Sequence, residues 1–215
     1  MPDTTADLLI ILAAYLIGSI SFAVIVSRWF GLPDPRTYGS KNPGATNVLR
    51  SGRKAAAILT LAGDGLKGWL AVALAKALAP AYGFGDGTIA LVAVAVFLGH
   101  LYPVFFRFIG GKGVATAAGV LFALDPWLGL GLLAIWLVLA VGLKLSSLAA
   151  LAATVAALPL AWWLGMPAVF LVAIAVIALL LVWRHRSNIR KLLAGTEGGF
   201  GGKSGAGKED PSAQP

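Results

Sequence analysis

The stretch Gly39-Ser40-Lys41-Asn42-Pro43-Gly44-Ala45-Thr46-Asn47-Val48-Leu49-Arg50 sets hydroxyl, amide and guanidinium groups on a turn-prone backbone. Glycine and proline let such a chain turn tightly and come close to a ligand. Ser40, Asn42, Thr46 and Asn47 offer hydrogen bonds, and Arg50 offers a fixed cation suited to bidentate phosphate binding. A second stretch, Gly110-Gly111-Lys112-Gly113-Val114-Ala115-Thr116, exposes backbone N–H groups, adds the Lys112 charge and opens a helix whose N-terminal dipole favours anions. Two cationic, glycine-rich segments suit a ligand, or a pair of ligands, with more than one phosphate. Neither is a nucleotide-hydrolysing loop. The second lacks the leading Gly of the Walker pattern, and Glu197 stands where Gly202-Lys203-Ser204 would need one.

Further polar groups are few. His100 lies in Gly99-His100-Leu101-Tyr102-Pro103, and His185 is followed by Asn188 at a spacing that puts both on one face if the last helix continues through them. Ser146 and Ser147 follow Lys144 in a short turn. Two histidines without a carboxylate cluster do not suit a metal site. Asp64 and Lys67, three residues apart in an apolar stretch, are expected to form an ion pair that offsets their mutual desolvation, rather than to shape a cavity.

The elements that must position these groups are membrane spans. The 215 residues are 59% hydrophobic and 12% charged, against about 45–50% apolar and about 25% charged in a soluble domain. Neither a soluble globule nor a disordered chain fits. With no cysteine, thiolate chemistry, disulfides and zinc or iron–sulfur sites are excluded. Apolar stretches predict helices over about 8–28, 55–78, 87–106, 113–124, 126–143, 146–164 and 168–183, an all-α polytopic protein with seven spans. The stretch 113–124 is short for a crossing, but counting it places 15 of the 17 Lys and Arg in loops and a tail on one side. By the positive-inside rule that side is cytoplasmic, which sets the N-terminus outside and the C-terminus inside. The net charge of +8 then needs no nucleic acid partner. The first apolar run exceeds the core of a secretory signal and is expected to be a retained anchor. Residues 1–194 are expected to form one membrane-embedded domain, and 195–215, rich in Gly, Ser and Pro, a disordered cytoplasmic tail without core activity. Under this topology the first two glycine-rich loops, the Ser146-Ser147 turn and the His185/Asn188 pair share one membrane face. Cationic loops for phosphates beside a membrane that brings a lipid or acyl chain suggest phospholipid or acyl-phosphate chemistry at that face.

The first stretch, the segment from Gly99-His100 through Gly110-Gly111-Lys112-Gly113-Val114-Ala115-Thr116, and His185-Arg186-Ser187-Asn188-Ile189 resemble three motifs of the bacterial acyl-phosphate:glycerol-3-phosphate acyltransferases, the PlsY family. The resemblance runs from about residue 8 to 193, with Lys41 where many members have Gly. It implies a seven-helix enzyme of the bacterial inner membrane with its active site facing the cytoplasm. Such an enzyme transfers a fatty acyl group from acyl phosphate to the 1-hydroxyl of glycerol 3-phosphate, giving lysophosphatidic acid and inorganic phosphate. It uses no cofactor and no acyl-CoA, and implies functional coupling to the enzyme that makes acyl phosphate. Carried onto this sequence, the resemblance implies catalytic roles for Lys112, Ser147, His185 and Asn188. It implies substrate binding by Ser40, Asn42, Asn47, Arg50, His100, Gly111, Lys112, Gly113 and Thr116. The acceptor proton has two candidate destinations, His185 or a substrate phosphate, and the second is preferred.

Other classes fit less well. The His-x4-Asp motif of another acyltransferase superfamily is absent, since Phe105 and Arg190 stand five residues after the two histidines. An organic-phosphate transporter would also use basic loops, but no internal repeat is evident. A scaffold would leave the clustered glycines and cations without a purpose.

Overall fold

A computed structural model describes residues 4–199 as a bundle of helices, with no strand among them. The first apolar run is broken. Helix α1 (Thr4–Gly18) and helix α2 (Phe22–Trp29) meet at a 42° bend, and the polar groups released there find partners inside the protein. Ser19 Oγ donates to the Tyr15 carbonyl (2.9 Å), and the Ile20 carbonyl accepts from Lys67 Nζ (2.7 Å). Lys67 therefore serves an unwound turn of a neighbouring helix as well as Asp64.

After α3 (Ala45–Leu49), helix α4 (Lys54–Tyr82) is the longest element and ends on Gly83 in the left-handed region. Helix α5 (Asp86–Leu101), a short 3-10 turn (Val104–Phe106) and helix α6 (Val114–Leu124) follow. Small residues let these helices approach closely: a Cβ on Gly99 would overlap the Tyr15 carbonyl, and one on Gly119 would overlap that of Gly65. Phe97, Leu101, Val96, Val120, Leu128 and Ile174 fill the core between α5, α6 and the later helices. A smaller apolar cluster of Ala23, Val26, Val48, Ala56 and Ala57 clamps α3 between α2 and α4, which anchors the first polar loop.

Helix α6 has 11 residues and starts at the glycine loop. Its far end is closed by Lys76 Nζ, which donates to the carbonyls of Ala123 (3.0 Å) and Leu124 (3.1 Å). Asp125 then caps helix α7 (Pro126–Leu143) by accepting from Leu128 N–H at 2.9 Å. Helix α8 (Ser146–Trp163) keeps Pro159 inside it, and the chain turns instead at Gly165 (φ 71°) into helix α9 (Ala168–Arg184). Helix α10 (Arg186–Leu193) leaves α9 at 59°, pivoting on His185.

Four helices are individually long and apolar enough to cross a membrane, the two bent pairs pass the same test when joined, and α6 is shorter. Leucines, valines and tryptophans cover the outside, among them Leu8, Val138, Val141 and Leu179. Trp127, Trp162 and Trp163 are exposed at one end of the bundle and Trp29 and Trp183 at the other, as membrane interfaces favour. The protein is an all-helical, multi-pass membrane protein.

Candidate active site

Four connections meet at one end of the bundle: α2 to α4, α5 to α6, α7 to α8, and α9 to α10. In the first, Asn47 is the organiser. Only 2% exposed, it donates through Nδ2 to the carbonyls of Pro35 (2.7 Å) and Tyr38 (3.2 Å) and accepts from Ser40 N–H (3.0 Å). Its side chain is spent on loop backbone. Gly39 (φ 56°) cannot be replaced without overlapping that amide. Lys41 has φ 55°, a left-handed backbone that Gly adopts at no steric cost. Arg36 grips Asp34 (2.6 Å) and the Phe106 carbonyl (3.3 Å), tying the first loop to the second. Hydrogen bonding to Arg36 holds the Asp34 carboxyl below its ordinary pKa.

The glycine loop is built against His100. Gly111 N–H donates to the His100 carbonyl (3.2 Å), and a Cβ on Gly111 would overlap His100 Nε2 and approach the Pro43 carbonyl to 2.9 Å. Arg184 holds the loop carbonyls, donating to Gly110 O (2.7 Å) and Gly111 O (3.1 Å). Gly113 (φ 89°) then starts α6, whose first-turn residues Val114 and Ala115 line the cavity.

Lys112 donates from Nζ to Asn188 Oδ1. Burial, opposed by Glu197, brings the Lys112 ammonium down to about 8. Asn188 Nδ2 and Ser147 Oγ both donate to Glu197 Oε1 (2.6 Å each). His185 bonds through Nδ1 to the Leu181 carbonyl (2.8 Å), so Nδ1 carries the proton and Nε2 the lone pair. Burial, only partly offset by that carbonyl, brings this imidazole down to about 4. It is neutral at physiological pH.

These groups surround a cavity of about 130 Å³. Ser40, Asn42, Asn47, Arg50, His100, Lys112, Gly113, Ser147, His185 and Asn188 all line it. Arg50 Nε is buried with no hydrogen-bond partner among the described residues. Gly111 and Thr116 stand behind the wall: Gly111 rests on His100, and Thr116 is fully buried with its hydroxyl engaged by Asp64 and His100. Asp64 also reaches the cavity, 2.9 Å from Lys67 and 3.6 Å from His100 Nδ1, so the pair is more than the self-contained ion pair expected. Sequence reasoning missed Glu197. Glycine-rich composition argued for disorder from 195, yet Gly195 (φ 68°) caps α10 and turns Glu197 back into the cavity; residues from 200 lie outside the described ones. Among the described residues, no three His, Asp or Glu gather into a metal-binding group.

A second, apolar cavity of about 580 Å³ opens between α4, α6, α7, α8 and α9. Leu61, Val114, Ala115, Trp136 and Ala150 border both, so the polar and apolar spaces share a wall. A site of this form can hold anions beside an alkyl chain. The family model described as glycerol-3-phosphate acyltransferase matches residues 8–195. The chain belongs to that family. Among its relatives, the glycerol-3-phosphate acyltransferase of Cupriavidus taiwanensis is 62% identical over 198 residues, 92% of this chain and 98% of the relative. That of Chromobacterium violaceum is 57% identical, covering 95% of this chain and all of its own. The crystal structure of PlsY, an integral membrane glycerol 3-phosphate acyltransferase, in its glycerol 3-phosphate form superposes with a TM-score of 0.85 at 39% identity, over 91% of this chain and 96% of that one. The lysophosphatidic acid form gives 0.83 at 38%, with the same shares. Like these relatives, the chain is a membrane acyltransferase of lipid biosynthesis.

Proposed function

We propose that this acyltransferase moves a fatty acyl group from acyl phosphate to the 1-hydroxyl of glycerol 3-phosphate, releasing 1-acyl-glycerol 3-phosphate and inorganic phosphate. The shared wall between the cation-lined cavity and the apolar cavity carries this reading, because the reaction joins two phosphate-bearing molecules of which one has a long alkyl chain. The similar PlsY structures hold glycerol 3-phosphate and lysophosphatidic acid, the acceptor and the product of such a transfer.

Acyl phosphate is a mixed anhydride whose phosphate is already a good leaving group, so a cysteine-free site needs no covalent enzyme intermediate. Its work is positioning and charge neutralisation. Arg50, Lys112, Ser40 and the first-turn amides of α6 hold the phosphates; Asn47 shapes the loop that carries Ser40. Ser147, Asn188 and His185 orient the acceptor. An imidazole at about 4 is a weaker base than a phosphate monoester, whose second pKa is about 6. The acceptor proton therefore goes to a substrate phosphate, with His185 Nε2 as an orienting acceptor. The basic connections 28–54, 107–113 and 144–146 and the segment after 184 face the cytoplasm of the bacterial inner membrane. The bundle crosses seven times, α6 included, with the N-terminus outside. Supply of donor then falls to the enzyme that makes acyl phosphate.

Purified protein in detergent, given acyl phosphate and glycerol 3-phosphate, is expected to form lysophosphatidic acid and phosphate in equal amounts. Acyl-CoA should yield none. Turnover with acyl-CoA at a comparable rate would overturn the choice of donor.

A further inference from the structure

Beneath the glycine loop lies a polar cluster to which the proposed transfer assigns no step: Asp64, Lys67, His100 and Thr116, all buried. Thr116 Oγ1 is its hub. A threonine hydroxyl has a single proton, and here that proton is donated to the Asp64 carbonyl (2.9 Å). The same oxygen lies 3.1 Å from His100 Nδ1, so in that contact it accepts, and Nδ1 is the protonated nitrogen. The Asp64 carboxylate, 3.6 Å from Nδ1 and 2.9 Å from Lys67 Nζ, supports the same orientation, and Lys67 is fixed in turn by the Ile20 carbonyl. The opposite ring nitrogen, Nε2, lies directly under Gly111, where the Pro43 carbonyl of the first loop also arrives.

We infer that Thr116 and Asp64 are positioning residues that act through the His100 ring on Gly111 and Lys112. The ring is a floor beneath Gly111, at the point where the first loop also meets the glycine loop, and its tilt is set from below by one hydroxyl and one carboxylate. With the hydroxyl gone, the ring loses its fixed orientation and the Gly110–Gly113 backbone its support. The consequence falls on substrate capture rather than on the chemical step. The inference deepens the reading of this site as the phosphate-holding site of a glycerol-3-phosphate acyltransferase and rests on it.

Thr116→Val tests it, because valine keeps the methyl that packs on Gly68 and removes only the hydroxyl. Loss of the hydrogen bonds is expected to raise KM for glycerol 3-phosphate about five- to tenfold, with kcat changed less than about twofold. Thr116→Ser, which retains the hydroxyl, should restore KM. Amide hydrogen exchange, read independently of turnover, should speed up in peptides spanning the glycine loop for Thr116→Val and not for Thr116→Ser. Unchanged loop exchange in a folded Thr116→Val protein would overturn the inference whatever the activity. So would a fall in kcat with KM intact. Loss of acyl transfer in the wild type itself would instead sink the reading of the site, while the exchange measurement still decides the role of Thr116.

Discussion

At the scale of single residues, the site is held by side chains that are already committed and by glycines that leave no room. Gly111 shows the second case. A methyl group there meets His100 Nε2 and the Pro43 carbonyl together, so Gly111→Ala forces the two loops apart. Overpacking of this kind costs about 1–3 kcal/mol, and kcat/KM for glycerol 3-phosphate is expected to fall about five- to a hundredfold. Lys112 shows how burial sets function. Its proton is lost near 8, so the cation is present below that pH and disappears above it. A rate profile should show kcat/KM declining on the alkaline side of pH 8. Lys112→Arg, charged throughout, is expected to have a lower maximum and no such limb, since Arg does not titrate below about 12. A wild-type profile flat to pH 10 would contradict this.

At the scale of elements, α10 and the turn after it act together. The 59° bend at His185 presents Asn188 to Lys112, and Gly195 returns the chain so that Glu197 receives Ser147 and Asn188. One carboxylate thus joins α8, α10 and, through Asn188, the glycine loop. Glu197→Ala leaves two donors without their acceptor. Charge-assisted hydrogen bonds contribute about 1.5–3 kcal/mol each, so kcat/KM should drop about ten- to a hundredfold, with a lower unfolding temperature. Activity equal to wild type would show that the turn is a bystander.

At the scale of the whole molecule, the arrangement makes sense only if all four polar connections share one membrane face. The cysteine-free chain makes that directly measurable, because each introduced cysteine is the sole thiol. A membrane-impermeant thiol reagent applied to inside-out vesicles should label Arg53→Cys and Arg190→Cys. It should leave Gly87→Cys, next to the N-terminus of α5, unlabelled until the vesicles are opened. Labelling of Arg53→Cys and Arg190→Cys from opposite sides would break the proposed topology, and with it the shared site.

Hydropathy alone determined that this chain lives in a membrane and where its long apolar helices lie, because burial in lipid demands long apolar runs; the break between α1 and α2 and the short helices α3 and α10 were not legible there. The two glycine-rich segments were legible as places of tight backbone approach, which requires glycine locally, and the fold brings residues of both to one polar cavity. Tertiary packing decided what spacing could not encode. Thr116 and Asn47 look like ligand groups in sequence, yet the fold spends Thr116 on Asp64 and His100 and Asn47 on loop backbone. Glu197 sits in a glycine-rich stretch that composition assigns to disorder, and its carboxylate finds a place only where the Ser147 hydroxyl of α8 and the Asn188 amide of α10 converge. Hydrogen bonds made between loops and separate helices, at separations from 9 to 52 residues, leave no periodic trace in either partner's neighbourhood, so the division of labour among these polar groups became visible only once the helices were packed.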